Sequence, residues 1–225
     1  MFINTTGIVL REITYKDSSK ILTILTSSEG KLTVSAHGAH RKNSKLAAVT
    51  GLLVFSEMTL LKKKDRWTMT EARSVEQFLG LRDDLKLLSL GSYIAELTEA
   101  VADEDSPNQE LLPLCLNALY ALSEKIRAPD FVKPAFELRL MALSGFEPQL
   151  SHIKESSSST LEEGTIKLGT GALKAAEYIL TCDSKKLFSF TLNDSALKEL
   201  SKATESYLLT HLDRTFKTLD YYHKV

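Results

Sequence analysis

The sequence predicts an α+β chain in two parts, a five-stranded β-barrel over residues 1–80 and an all-helical domain over residues 81–225. Two observations predict it. Apolar residues recur at every second position through the first eighty residues and at helical spacing beyond them. The charge also divides there: residues 1–80 hold 12 Lys+Arg against 7 Asp+Glu, and the remainder holds 16 against 22, within a net charge of −1. A basic front and an acidic back imply different partners, a polyanion for the first.

The strands follow in order. "TGIVLREITY" and "KILTILTSS" are β-rich runs separated by the turn "KDSS". "KLTVSAH" alternates, with Leu32, Val34 and Ala36 on one face and Lys31, Thr33, Ser35 and His37 on the other. "LLVFSEMTLLKKK" places Val54, Met58 and Leu60 on one side, and "RWTMTEARSV" keeps Trp67 and Met69 in phase after a short turn at Asp65. Five strands with one-sided apolar faces must curl to cover their edges, and an OB-type barrel is the natural closure.

Beyond residue 80 the period lengthens. "DDLKLLSLGSYIAELTEAV" carries Leu85, Leu88, Tyr93, Leu97 and Val101 after the acidic opening Asp83–Asp84. "PNQELLPLCLNALYALSEKI" predicts a second helix. A third begins at Asp130, an N-cap candidate, with Pro134 in its first turn, and ends at Gly145; its stripe is Val132, Ala135, Phe136, Leu140 and Leu143. Residues 151–170, "SHIKESSSSTLEEGTIKLGT", have no usable period and read as loop. "GALKAAEYIL" and "SALKELSKATESYLLTHL" predict two further helices before the short tail "KTLDYYHKV".

Chemistry concentrates in one window. From Gly30 to Ser56 there is no Asp or Glu, while Lys31, Arg41, Lys42 and Lys45 are present with His37 and His40 in "AHGAHRKNSKL". Two histidines without a third ligand nearby do not make a metal site. No serine or cysteine stands in a nucleophile elbow or dyad, and "GTGALK" lacks the spacing and ending of a phosphate loop, so nothing indicates an enzyme or a cofactor. The basic segment fits phosphate neutralisation beside a barrel, with Tyr15, Phe55 and Trp67 the available aromatics. The triplet at 62–64 suits equally a charged hairpin tip or a DNA contact. Cys115 and Cys182 form no disulfide framework, and the first twenty residues hold no run long enough for a signal peptide or membrane span, so a cytoplasmic location is expected.

The order of motifs resembles the bacterial RecO family of DNA repair proteins. The matching stretches are Gly7–Arg11, Asp17–Thr26, Gly30 with Lys31, and Gly38–Leu46, then "FELRLMALSGFEPQL", "GALKAAEYIL" and "YLLTHLDRTFKTLDYY". The resemblance implies an N-terminal OB barrel, a helical domain and no enzymatic activity. It implies binding to single- and double-stranded DNA, strand annealing, and RecA loading together with RecR in the RecFOR pathway, at the nucleoid. It also implies docking of the acidic, Phe-ending tail of single-stranded-DNA-binding protein. Carried over, DNA contact falls on Arg11, Lys20, Lys31, His37, His40, Arg41, Lys42 and Lys45, and partner docking on Lys133, Phe136, Arg139, Leu140 and Lys174. A protein-interaction adaptor and an RNA-binding OB protein remain the alternatives that charge alone leaves open.

Two departures from the family pattern carry expectations. Many members hold zinc with four cysteines after the middle of the chain; here Ile153 and Ser156 stand where the first pair would fall, the second pair is missing, and His152 alone cannot hold the ion. No structural metal is expected, and the region should be shortened and loosely ordered; elemental analysis finding stoichiometric zinc would refute the first point. In the basic box, His37 and His40 replace the commoner Lys and Arg. Imidazoles gain charge as pH falls through about 6.5. DNA binding should therefore be tighter at pH 6 than at pH 8, and His37→Ala/His40→Ala should flatten the profile.

Overall fold

The computed structural model describes residues 1–41, 43–153 and 164–225. Lys42 and the central part of the 151–170 segment lie outside the described residues, as does the expectation that this segment is loosely ordered. β1 (Phe2–Tyr15), β2 (Ser19–Thr26), β3 (Gly30–Ala36), β4 (Phe55–Lys63) and β5 (Arg66–Glu76) close a barrel in the order β1-β2-β3-β5-β4. All pairings are antiparallel except β3 with β5, which meet only at Val34–Trp67 and Ser35–Thr68. β1 is long enough to serve two neighbours: Phe2–Ile8 pair with β4, and Gly7–Tyr15 pair with β2.

The alternation read from the sequence becomes the barrel core. Val9, Leu22, Ile24, Leu32, Val34, Met58, Leu60, Trp67 and Met69 form one buried cluster, joined by Ala39 and Val49 from the connection after β3. The opposite face of β1 and β2 is covered over part of its length. Ile8, Leu10 and Leu25 belong to a second cluster with Leu53, Phe78, Leu81, Leu90 and the helical core. Ile8 and Leu10 share this outer side by alternation, and a bulge between Val9 and Arg11 brings Arg11 to it as well, opposite Thr23. The run Ile8–Val9–Leu10 is thus buried on both faces.

The helices are α1 (Leu85–Val101), α2 (Leu111–Ser123), α3 (Pro129–Leu143), α4 (Thr170–Thr181), α5 (Asp194–Leu212) and α6 (Lys217–Tyr222). Asp84 caps α1 through the amides of Lys86 and Leu87, Asn193 caps α5 through that of Ala196, and Glu199 accepts from Gly169 at the start of α4. No helix among the described residues is long and apolar enough to cross a membrane.

Several details correct the sequence reading. Because α1 meets β1, α2, α3 and α6 and is enclosed on more than one side, its buried set is broad, with Leu87, Leu90, Ile94 and Leu97 beside Tyr93; Leu85, the first residue of the helix, is exposed. α3 starts at Pro129 with Ala128 as N-cap, so Asp130 sits inside the first turn and Pro134 beyond it. Asp130 accepts instead from the Tyr222 hydroxyl and pairs with Lys86. The helical region is also not wholly helical: β6 (Gln149–His152), which begins just before the 151–170 segment read as loop, pairs in parallel with β7 (Thr165–Leu168) inside it. Four-residue strands are too short for alternation to stand out, although Ile166 and Leu168 are both buried.

The helices are tied by a buried ionic cluster. Lys133, with its side chain 2% exposed, lies 2.8 Å from Glu137 and 2.6 Å from Glu205. Glu137 is fully buried and also accepts from Tyr93 at 2.9 Å and Thr204 at 2.8 Å, while His223 reaches Glu205 at 3.0 Å. The cluster therefore joins α1, α3, α5 and the chain end. Burial pulls the Lys133 ammonium down, but Glu137 and Glu205 outweigh it and hold its pKa above the ordinary lysine value. Burial pushes Glu205 up, yet Lys133 and His223 hold it below the usual carboxylate range. That contribution is present above about pH 4.3 and is lost as pH falls through the folded value. In urea unfolding at neutral pH, Lys133→Ala should destabilise by about 3–5 kcal/mol, because it strands a buried carboxylate. Lys133→Met/Glu137→Leu should recover much of that loss; an equal loss in both would mean that packing, not charge, is what the cluster supplies.

Candidate nucleic-acid interface

At one end of the barrel the β1–β2 turn meets the loop that follows β3. The His40 amide donates to Ser18 O at 3.1 Å, and His40 Nε2 lies 3.1 Å from Thr14 Oγ1. Ala39, 2% exposed, plugs the barrel core. Gly38 takes φ +73°, the left-handed turn that glycine adopts without strain, and the Arg41 amide donates back to Gly38 O at 3.0 Å. Ser44 accepts from the Leu46 amide, and the Thr50 hydroxyl donates to Leu46 O at 2.9 Å. These hydrogen bonds hold the described residues of the loop on both sides of Lys42. Ala36 and Ala39 turn inward, and His37, His40, Arg41 and Lys45 are exposed.

Of the eight residues expected to contact DNA, these four come together; Lys42 lies outside the described residues. The other three are engaged elsewhere. Lys20 is paired with Glu12 and donates to Thr50 O, with 13% of its side chain exposed. Arg11 Nε donates to Glu99 at 2.8 and 3.1 Å, and Lys31 Nζ donates to Glu99 O at 3.0 Å. Arg11 and Lys31 thus fasten the barrel flank to α1, a role invisible in sequence because their partner lies 68 or more positions away. One exposed cation was missed. Lys16 stands in the β1–β2 turn, its ammonium 5.3 Å from the Tyr15 ring centroid. Its position in the turn facing the basic loop was the available signal.

The pairing changes the local field. Glu12 is neutralised by Lys20 and Glu99 by Arg11, leaving exposed Asp17 as the acid in the β1–β2 turn. Lys62–Lys64 lie at the other end of β1, where Phe2 pairs with Leu61, and Lys62 sits 4.9 Å over the Trp67 ring. Trp67 itself is core, so it is not a stacking surface.

The expected docking residues of the helical region do not form an open groove. Phe136 and Leu140 are fully buried, and Lys133 is held in the ionic cluster. Arg139 is buried with its guanidinium donating to the carbonyls of Leu180 and Cys182 at the end of α4. Lys174 is exposed on α4, apart from them. A different groove is open, between the end of α2 and the segment before α5. It is lined by exposed Tyr120 and Ile126 with Phe188, and rimmed by Arg127 and Lys185.

The sequence holds two cysteines, so the four-cysteine set that the resemblance implies cannot form from this chain's own cysteines. His152 hydrogen-bonds to Thr170 at 2.8 Å, Cys115 is buried in α2, and Cys182 follows α4. Among the described residues no group of three or more His, Cys, Asp or Glu could hold a metal ion.

Comparison with known proteins places the geometry. The family model described as recombination protein O N terminal matches residues 1–78, and that described as recombination protein O C terminal matches residues 82–220. The DNA repair protein RecO of Acetivibrio thermocellus is 32% identical over 98% of this chain and 96% of its own length. That of Alkaliphilus metalliredigens is 30% identical over the whole of both. With a barrel, a helical region and both models matched in order, the chain belongs to the RecO family of DNA repair proteins.

Proposed function

We propose that this chain is a non-enzymatic, strand-annealing recombination mediator, in which residues 1–80 hold DNA and residues 81–225 hold protein partners. The observation that carries the reading is the acid-free loop fixed by Ala39, Gly38 and the His40–Ser18 hydrogen bond, which presents Arg41 and Lys45 with two histidines at the barrel end. Annealing requires phosphate repulsion between two strands to be screened while base edges stay free. Backbone-directed cations on a preformed loop suit that task, and base-specific contacts would obstruct it. RecR and the RecA pathway are the partners the family reading supplies. For the acidic, Phe-ending tail of single-stranded-DNA-binding protein, the Tyr120–Ile126–Phe188 groove offers an apolar seat with Arg127 and Lys185 for the carboxylates.

Annealing of complementary oligonucleotides, naked and coated with single-stranded-DNA-binding protein, tests the reading. Arg41→Ala/Lys45→Ala should slow annealing and reduce the salt slope of single-strand binding by about 1.4, at about 0.7 per phosphate contact. Arg11→Ala/Lys31→Ala should leave that slope unchanged; the reverse pattern would move the DNA path to the barrel flank. Lys185→Glu should weaken binding of the isolated tail peptide and slow annealing only on coated strands.

A further inference from the structure

We propose that the outer face of β1 and β2, where it emerges from beneath the helices, is a stacking strip for the unpaired bases of single-stranded DNA, with Tyr15 as its main platform. The proposal rests on the DNA-binding reading and adds to it what distinguishes one strand from two.

The register builds the strip. After the bulge at Leu10, the residues of β1 that face outward are Arg11, Ile13 and Tyr15, paired with Thr23, Ile21 and Ser19 of β2. Arg11 turns to Glu99 at the edge of the helical region. Ile13 and Tyr15 turn to solvent, 46% and 47% exposed, with half-buried Ile21 opposite Ile13. The outer face of a sheet in water ordinarily carries polar residues; here it carries an isoleucine pair and a tyrosine in succession. Tyr15 belongs to neither core cluster; among the described residues its hydroxyl makes no hydrogen bond, its ring pairs with no other ring, and the Lys16 ammonium lies 5.3 Å from its centroid.

Charge complementarity names the occupant. The strip ends beside Lys16 and the loop that exposes His37, His40, Arg41 and Lys45, whose His40 amide donates to Ser18 O in the turn that follows Tyr15. A strand whose phosphates lie on that loop brings its bases to the strip. Single strands offer the π-faces that such a surface takes, and duplexes conceal them. Stacking uses the face of a base and leaves its Watson–Crick edge free, so a held strand can still pair. Once paired, the base stacks on its neighbours instead, and the strip lets it go.

The test compares three ligands on the full chain at one salt concentration: an oligonucleotide, an abasic strand of equal length with the same phosphates, and a duplex. The wild type should bind the base-bearing strand at least about fivefold more tightly than the abasic one, the size of one aromatic stack. Tyr15→Ala should erase that preference while leaving abasic and duplex affinity and the salt slope unchanged, and Tyr15→Phe should retain it. If Tyr15→Ala keeps the preference, or loses affinity equally for the abasic strand, the strip is not a base platform. A chain that binds no DNA at all overturns the underlying reading; one that binds every ligand by charge alone overturns only this inference.

Discussion

Everything in this molecule is oriented by three consecutive apolar side chains. Ile8 and Leu10 lie among the helical core and Val9 inside the barrel, so one stretch of β1 is interior to both. Each fully buried aliphatic residue of this kind stabilises by roughly 1.5–3 kcal/mol relative to leaving it exposed. Slipping β1 by one residue would send Val9 to the helical side and Ile8 and Leu10 into the barrel, so that neither packed set would fit. The register is therefore fixed from two sides. With it are fixed the turn of Arg11 toward Glu99 and the emergence of Ile13 and Tyr15 beyond the helices. The end of the barrel that carries the basic loop inherits its direction from this packing, with no dedicated device of its own.

The distribution of charge follows from the same frame. Exposed ion pairs contribute little stability, typically 0–1 kcal/mol. Their effect here is on the field. Lys20 cancels Glu12 near the basic loop, and Arg11 cancels Glu99 on the flank. The cations left exposed on the loop after β3 and those that pair with acids are different residues, although side-chain type alone does not separate them. The basic surface is smaller than the count of lysines and arginines suggests, and more localised.

The barrel was legible because its signal is local: period-two alternation at Leu32, Val34 and Ala36 survives intact as inward-facing core. So was the basic loop, whose lack of acids is visible in the chain itself. What escaped depended on distant partners. Lys133 and Arg139 look like surface cations until Glu205 and the α4 carbonyls, 41 to 72 positions away, are folded against them. The α1 stripe was misjudged because a helix enclosed by several neighbours has no single apolar face. Tyr15 was noticed as an aromatic, but only the register and its neighbours show that it faces water rather than core.

The closure of the barrel bears on how the chain can be divided. β3 meets β5 at only two residue pairs, and its beginning is covered by the segment after α1: the Lys31 amide donates to Asp103 O, and Lys31 forms a bridge with Glu104. Gly30, at φ +70°, admits this segment; a Cβ there would sit 2.4 Å from Ser106 O. Cutting the chain at residue 80 would remove that cover and bare Ile8, Leu10 and Leu25 with it. The excised fragment would carry an open strand edge beside an oily patch, the combination that drives sheets to add to one another. The barrel is thus no portable module: in recombinant work, and in any gene fusion that borrowed it, its solubility travels with the helices.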